Sequence, residues 1–293
     1  MKPAPFNLHL PHTLDEALRL LAGASNARLI AGGQSLMPML NMRLAMPDHV
    51  IDLNGVESLS YIREEGDEIV IGAMTRQRDL EFSHMVAARL PVLHAAILNV
   101  GHRQTRNRGT IGGSLCHMDP SAELPTVCVL LDADMVIRSA RGFRVVPARE
   151  FGLGVMSTCL AADELLMEIR VRPWPEGHGW DFVEYARRHG DFAVASACAL
   201  VALGEGGRVT RAALALGGVC AAPVRLSEAE RMLIDGDGAP EALHAAAAQV
   251  SQCDVLEDPA YPGWYRQRLA GRLLRGVMEQ ALARAGKADG RMP

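Results

Sequence analysis

The sequence contains no long uninterrupted apolar run and no strong excess of charge of either sign. Apolar residues nowhere continue far enough to span a bilayer, and the amino-terminal MKPAPFNLHLP lacks the apolar stretch of a signal peptide. Because 30 Lys and Arg face 34 Asp and Glu, the formal net charge is −4 and provides no broad basic field for nucleic acid or an anionic membrane. We therefore expect a cytoplasmic protein that has no membrane span and does not bind nucleic acid.

Cysteine pairs at metal-ligand spacing are also absent. The six cysteines are widely spaced and form no C-x-x-C, and a reducing cytoplasm disfavours disulfides. We predict buried free thiols and no metal or iron–sulfur cluster bound by this chain. The cysteines are Cys116, Cys128, Cys159, Cys198, Cys220 and Cys253.

Two loops of small residues stand out: AGGQSL at 31–36 and GTIGGS at 109–114. Glycine lets a ligand approach the backbone without an intervening Cβ, so successive N–H groups can surround a diphosphate. Read singly, the first loop is also compatible with a strand-to-helix turn and the second with a bulged turn.

Three familiar motifs do not fit these loops. The second loop has the wrong glycine spacing for G-x-G-x-x-G and follows RQTRNR, which is no buried strand, so a Rossmann site is excluded. Neither loop continues into Gly-Lys-Ser/Thr, and neither Ser35 nor Ser114 lies in G-x-S-x-G. Nucleotide hydrolysis and serine-hydrolase chemistry therefore have no support.

The first part of the chain predicts short helices and strands around the loops. Thr13 and Glu16 have the spacing of a helix amino-terminal cap, and Gly23 follows the apolar face of that helix. Residues 27–31 predict a buried strand that runs into the first loop. Further strands are predicted at 49–53, within 61–72 and at 135–139, 143–147 and 164–171, with a helical segment at 85–100 and a helix start at 119–125.

The second part has a different order of elements. WPEGHG, residues 174–179, is the best linker candidate because Pro and Gly interrupt the pattern there. Strands followed by helices indicate an α+β unit. Its three antiparallel strands are predicted at 182–187, 193–203 and 209–217, and its helices at 226–234, 240–250 and 261–285.

Three segments, taken together, resemble one known family. LIAGGQSLMPMLNMRL (29–44), RNRGTIGGSLCHMDPSAELP (106–125) and RRHGDFAVAS (187–196) resemble, in order and spacing, the FAD-binding medium subunit of the molybdenum hydroxylases, the xanthine dehydrogenase and aerobic carbon monoxide dehydrogenase family. The resemblance covers nearly the whole chain. It implies a two-part FAD-binding domain of the vanillyl-alcohol-oxidase (PCMH) type over 1–175, with subdomains of about 1–55 and 56–175, followed by a smaller α+β domain over 176–293.

The resemblance also implies the residues of one FAD site that both loops share. Leu166 would back the cofactor, Asp119 and Glu123 would reach ribityl or adenosine hydroxyls, and Arg187, Asp191 and Phe192 would approach the flavin ring. The first loop would supply Leu29, Ile30, Ala31, Gly32, Gly33, Gln34, Ser35 and Leu36, and the second Gly101, Thr105, Gly109, Thr110, Gly112, Gly113, Ser114 and His117.

Two groups in these segments have alternative interpretations. Some relatives carry Tyr in place of Phe192, so Phe192 is expected either to give an apolar cover to the flavin or to be a core aromatic. For Arg103, Arg106 and Arg108 we favour a solvated basic turn or a subunit contact over phosphate binding.

The family resemblance implies electron transfer as the function. Substrate would be hydroxylated at a molybdenum cofactor in a large subunit, and electrons would pass through 2Fe-2S clusters in a small subunit to non-covalent FAD in this chain, then to NAD or another acceptor. No catalytic side chain is expected here, and the complex would be a dimer of heterotrimers. The rival interpretations are a stand-alone FAD-dependent oxidase or dehydrogenase and a scaffold that has lost its cofactor.

Overall fold

The computed structural model describes residues 1–288, beginning with a small parallel sheet. Its strands are β1 (Asn7–His9), β2 (Ala27–Ile30) and β3 (His49–Asp52), with β3 in the centre. Helix α1 (Leu14–Gly23) begins as predicted, because Thr13 Oγ1 accepts from Glu16 N at 3.2 Å. Helix α2 (Leu36–Asn41) follows the first glycine loop.

The predicted burial of the strand before the first loop is wrong. Strand β2 pairs only with β3, so it is an edge strand, and its residues are half-buried or exposed. Ala27, Arg28 and Leu29 of this edge line a cavity, which explains why an apolar segment is left uncovered by the rest of the chain.

A five-stranded antiparallel sheet forms the centre of the first part of the chain. The strands of this part are β4 (Ile62–Glu65), β5 (Glu68–Gly72), β6 (Asp134–Ser139), β7 (Gly142–Pro147), β8 (Gly152–Gly154), β9 (Ser157–Thr158) and β10 (Leu165–Val171). The order in the sheet is β4-β5-β10-β6-β7, and β8 pairs with β9 in a separate hairpin. The helices of this part are α3 (Gln77–Phe82), α4 (His84–Arg89), α5 (Pro91–Ile97), α6 (Arg103–Arg108), α7 (Ile111–His117), α8 (Glu123–Leu130) and α9 (Ala148–Phe151).

The helical segment predicted at 85–100 is two helices rather than one. Helix α4 ends at Arg89, and Leu90, with φ −132° and ψ 57°, separates it from α5. Pro91 causes the break, because its ring disfavours helical backbone at the preceding residue and it has no N–H for the helix ladder.

The carboxyl-terminal part is an antiparallel sheet covered by helices. The three predicted strands are present as β11 (Gly179–Tyr185), β12 (Ala195–Leu203) and β13 (Val209–Gly217), and a short fourth strand, β14 (Val224–Arg225), pairs with β13. The predicted helices are α10 (Ser227–Leu233), α11 (Pro240–Ala248) and α12 (Gly263–Ala288). The last five residues of the predicted second domain, 289–293, lie outside the described range.

The central strand of this sheet, β12, is buried on both faces. Phe182, Cys198 and Leu200 pack into the main core with α5 and α8, whereas Ala197 and Ala199 pack into a second core with α12. Double burial explains the continuous apolar run of β12. Because α8 joins the two parts, the loop after β11 is held beside the first part of the chain.

The burial of the cysteines differs from the prediction. All six are free thiols, but only Cys128 and Cys198 are buried. Cys116 is exposed because it lines the cavity. The other three are half-buried. Within residues 1–288, no helix has both the length and the apolar character needed to cross a membrane.

Candidate functional site

The two glycine loops touch each other directly. A Cβ built on Gly32 would lie 2.2 Å from the carbonyl oxygen of Arg108 and 2.7 Å from Gly109 Cα. On the other side of the contact, a Cβ on Gly113 would lie 3.6 Å from Ala31 Cβ. Only glycine at position 32 permits this approach of the two backbones, so loops distant in sequence form one continuous surface.

Two polar side chains brace this contact. Asn54 Nδ2 donates to the carbonyl oxygen of Ala31 at 2.8 Å, and Arg76 donates to the carbonyl oxygen of Arg108. Arg76 Nη2 also donates to Asn54 Oδ1 at 2.5 Å. The brace therefore ties the first loop to the second through two side chains that the sequence did not single out.

Most backbone N–H groups of the second loop already donate hydrogen bonds within the protein. Thr110 caps α7, its Oγ1 accepting from Gly113 N at 3.0 Å, so this segment is the start of a helix and not the bulged turn considered from sequence. Ile111 N donates to Thr75 O at 3.1 Å, and Gly112 N to Ala73 O at 2.9 Å. These bonds fix the second loop on the segment after β5.

The first loop keeps its donors free. Within the described residues, the backbone N–H groups of Gly33, Gln34 and Ser35 donate no hydrogen bond to the rest of the chain. Gly33 has φ +72°, a left-handed conformation that turns neighbouring N–H groups towards a common side. The first loop is therefore the better donor of backbone hydrogen bonds to an anion, and the second loop supplies the opposing wall.

A cavity of about 880 Å³ opens between the loops, within the size range of small-molecule and cofactor sites. Of the residues predicted for the site, only Ile30 and Arg187 do not line it. Ile30 packs behind Gly33, and Arg187 is exposed elsewhere on its loop. The predicted residues that line the cavity are Leu29, Ala31, Gly32, Gly33, Gln34, Ser35, Leu36, Gly101, Thr105, Gly109, Thr110, Gly112, Gly113, Ser114, His117, Asp119, Glu123, Leu166, Asp191 and Phe192.

Sequence reasoning missed several wall residues. Gln77 is 4% exposed, lines the cavity, and its Oε1 has no hydrogen-bond partner within residues 1–288. Met39, Leu44 and Met46 form an apolar part of the wall after α2. The apolar residues lie in the quoted segment 29–44 or just after it, whereas no local pattern marks Gln77.

The loop after β11 closes one side of the cavity. Gly190, with φ +87°, lies against His102, and a Cβ there would lie 2.5 Å from His102 Cε1. Asp191 and Phe192 follow on the cavity wall, and Phe192 is 63% exposed. Its interpretation as a core aromatic is therefore wrong, and an apolar surface facing the cavity remains.

The basic segment before the second loop is only partly solvated. Arg103 and Arg108 are exposed, but Arg106 is 8% exposed, and its Nε donates to Glu81 Oε2 at 2.8 Å. Arg106 Nη1 also donates to the carbonyl oxygen of Val100 at 3.0 Å. Arg106 thus holds α6 in place, which corrects the expectation of a solvated basic turn.

Two carboxyl groups of the cavity wall, Glu123 and Glu164, have opposite electrostatic surroundings. Burial, reinforced by the nearby Glu184, raises the pKa of Glu123 to about 8. The Arg144 guanidinium, which donates to Glu164 Oε1 at 2.8 Å, lowers the pKa of Glu164 to about 2. Glu123 therefore adds little negative charge to the cavity at neutral pH.

These features fit a dinucleotide with a diphosphate at its centre. Free N–H groups at Gly33, Gln34 and Ser35 match anionic oxygens, and close backbone approach at Gly32 leaves room for them. Gln77 adds a polar amide group to the cavity wall. Apolar wall residues and Phe192 match the aromatic part of such a ligand.

Comparison with known proteins gives matches along the whole chain. A family model of the FAD binding domain in molybdopterin dehydrogenase matches residues 4–175, and one of the carbon monoxide dehydrogenase flavoprotein C-terminal domain matches residues 180–281. The 6-hydroxypseudooxynicotine dehydrogenase complex subunit alpha of Paenarthrobacter nicotinovorans is 39% identical over 287 residues, covering 97% of each chain.

Solved structures show the same relationship. Carbon monoxide dehydrogenase from Hydrogenophaga pseudoflava, in a form lacking the Mo-pyranopterin moiety of the molybdenum cofactor, matches with a TM-score of 0.94 and 38% identity over 97% of this chain and 99% of that chain. Quinoline 2-oxidoreductase from Pseudomonas putida 86 matches with a TM-score of 0.92 and 34% identity over all of both chains. The chain therefore belongs to the family of FAD-binding medium subunits of the molybdenum hydroxylases.

Proposed function

We propose that this chain holds one non-covalent FAD in the cavity between the glycine loops and passes electrons from partner iron–sulfur clusters to NAD or another acceptor. The partners are a small subunit with 2Fe-2S clusters and a large subunit with the molybdenum cofactor, arranged as a dimer of heterotrimers. The complex works in the cytoplasm, where the six unpaired thiols of this chain remain reduced.

The observation that carries this proposal is the direct contact between the two loops. Gly32 packs on Gly109, and the resulting cavity contains nearly every residue expected at the FAD site. The free N–H groups of Gly33, Gln34 and Ser35 bind the diphosphate, while Thr110 and Gly113 form the facing wall. Asp119 accepts from cofactor hydroxyls, and Asp191 and Phe192 cover the flavin ring.

The chemistry belongs to the cofactor, and the chain supplies position and electrostatics. When bound, FAD accepts electrons singly and gives them up as a pair. The chain's residues hold it between two braced loops, cover its ring with the loop after β11, and keep Glu123 uncharged beside it. No side chain of this subunit acts as a nucleophile or general base.

The relatives support a complex in which one subunit transfers electrons and another selects the substrate. Proteins named for carbon monoxide, quinoline and 6-hydroxypseudooxynicotine chemistry contain a chain that aligns with nearly all of this one. A subunit so similar across such different substrates is suited to electron transfer and not to substrate choice. Substrate specificity then belongs to the large subunit.

The proposed domain organisation follows from the same site. Residues 1–175 form a two-part FAD-binding domain of the PCMH type, with subdomains of about 1–55 and 56–175, and residues 176–293 form the second domain. The separate parallel and antiparallel sheets support the two-part division. The first loop follows the parallel sheet and the second rests on the segment after β5, so FAD lies between the subdomains.

Purification of the native complex tests this function. We expect flavin, iron and molybdenum to copurify with the chain, and substrate-reduced complex to transfer electrons to NAD or to a dye that replaces it. A folded chain that contains no flavin and takes up no added FAD would contradict the proposal. Oxidation of an organic donor by the isolated chain would favour the stand-alone oxidase or dehydrogenase.

A further inference from the structure

A polar layer interrupts the apolar interface between α8 and the carboxyl-terminal sheet. Helix α8 is buried along its whole length, and its residues are apolar except for Glu123 and Thr126. Both lie in its amino-terminal half, beside the cavity, whose wall includes Ala122 and Glu123. Thr126 Oγ1 donates to the carbonyl oxygen of Ala122 at 3.1 Å, so its hydrogen bond is made within the helix. Glu123 remains as the buried ionisable group of this face, and a buried carboxyl needs partners.

The facing sheet supplies a matching polar row. Glu184, Ser196 and Gly217 are register partners across β11, β12 and β13. A Cβ on Gly217 would lie 2.2 Å from Thr126 Oγ1 and 2.6 Å from Ser196 Oγ, so the row lies directly against α8. Glu184 Oε2 and Ser196 Oγ are buried without a hydrogen-bond partner within residues 1–288. The layer therefore contains two carboxyl groups and fewer partners than they need.

The surroundings of this layer favour the protonated, neutral form of its two carboxyl groups, Glu123 and Glu184. Burial raises the pKa of Glu184 to about 7, and burial together with the Glu184 charge raises that of Glu123 to about 8. The nearby charge of Asp119 also raises the pKa of Glu123. Arg106 lowers the pKa of Glu123, but its guanidinium is already ion-paired, with Nε 2.8 Å from Glu81 Oε2. Two neighbouring buried carboxylates without a cation of their own cannot both ionise at low cost.

We propose that Glu123 and Glu184 hold one proton between them at neutral pH, and that Glu123, kept as the neutral acid, donates a hydrogen bond from its O–H to FAD in the cavity. This inference rests on the proposed FAD site. A neutral donor avoids the repulsion that a carboxylate would exert on the anionic diphosphate, and Glu184 positions the proton without touching the cofactor.

The first experiment detects the proton itself in the cofactor-free full chain. The infrared carbonyl band of a protonated carboxyl is expected at pH 7 in the wild type and absent from the double variant Glu123→Gln/Glu184→Gln. Glu228→Gln, at an exposed ion pair on α10, is the matched control and should keep the band. A wild-type chain without this band at pH 7 would overturn the inference even if it binds FAD.

The second experiment measures FAD affinity against pH by flavin fluorescence. Affinity of the wild type should be constant below pH 7 and then fall by up to about tenfold per pH unit above the Glu123 pKa, because binding needs the protonated form. Glu123→Gln should remove this dependence. Glu184→Gln should move it to lower pH, since the charge that raises the Glu123 pKa is gone.

The outcomes separate the inference from the function on which it rests. A wild-type affinity that does not change with pH, or a Glu184→Gln profile identical to wild type, would overturn the shared proton while leaving FAD binding intact. A chain that shows the carboxyl band but binds no FAD at any pH would overturn the proposed function and the hydrogen bond to FAD.

Discussion

Arg76 Nη2 donates to Asn54 Oδ1 at 2.5 Å, and this bond joins the supports of the two glycine loops. Asn54 holds the carbonyl oxygen of Ala31 in the first loop, and Arg76 holds that of Arg108 at the start of the second. The brace lies behind the contact of Gly32 with Gly109 and not on the cavity wall. The separation of the loops is therefore set before any ligand enters.

Arg76→Ala should weaken FAD binding without removing a direct contact. Loss of the two hydrogen bonds lets the loops separate, and we expect a cost of about 1–2 kcal/mol, or roughly tenfold in the dissociation constant. Flavin fluorescence titration measures the effect. Arg78→Ala is the control, because Arg78 is exposed and bonds Asn107 at 3.1 Å outside the brace. Equal affinities of the two variants would contradict a role for the brace.

Gly32→Ala should reduce both FAD occupancy and thermal stability. The new Cβ would meet Arg108 O at 2.2 Å, a backbone atom that cannot move without displacing the second loop. Gly23→Ala is the matched control, since nothing lies within 4 Å of its Cβ and alanine favours the end of α1. Full flavin content and an unchanged melting temperature in Gly32→Ala would show that the loops do not need this close contact.

Gln77→Met should have opposite effects on stability and on cofactor binding. The change removes a buried Oε1 that has no partner in the described chain, so the cofactor-free protein should gain about 1 kcal/mol of unfolding free energy. FAD affinity should fall roughly tenfold, because the change also removes the amide group that Gln77 contributes to the cavity wall. The same change at exposed Gln104 should alter neither quantity. An unchanged affinity for Gln77→Met would exclude Gln77 as a ligand.

The ion pair of Glu164 with Arg144 should contribute to acid sensitivity. Because Arg144 lowers the folded-state pKa of Glu164 to about 2, its contribution is present above the ordinary carboxyl pKa and is lost as pH falls towards 2. The difference in unfolding free energy between wild type and Glu164→Gln should therefore be largest above roughly pH 5 and close as pH falls. Denaturant titrations at several pH values measure it.

A surface pair provides the control for that prediction. Glu150 Oε1 lies 3.7 Å from Arg149 Nε, and both side chains are 62% exposed. Glu150→Gln should therefore change the free energy of unfolding little at any pH. A Glu164→Gln difference that does not vary with pH would contradict the assigned ion pair.

Local chemistry allowed much of the fold to be predicted. The Thr13 cap, the strands β6 and β7 and the apolar run of β12 follow from short-range pattern, and each is present. The predictions were wrong or incomplete where the structure depends on contacts between segments that are distant in sequence. Strand β2 is half-exposed because no strand covers its outer edge, and β14 exists only because β13 offers an edge to pair with.

The site shows the same division. Nearly all of the residues that the family resemblance implied lie on the cavity wall, because a bound diphosphate constrains the backbone that surrounds it. Gln77, Asn54 and Arg76 have no local signature, since their roles arise from contacts made across long stretches of chain.

By itself, the sequence determined the two glycine loops and their likeness to a FAD-binding family. Only the tertiary structure decided which loop keeps its backbone N–H groups free to bind a ligand. It anchors the N–H groups of Ile111 and Gly112 on the segment after β5 and leaves those of Gly33 to Ser35 free. It also places Glu184 of the second sheet in a polar row that packs on α8, the helix that carries Glu123. Hydrogen-bond partners and the pKa of a buried acid depend on neighbours in space, which local sequence does not specify.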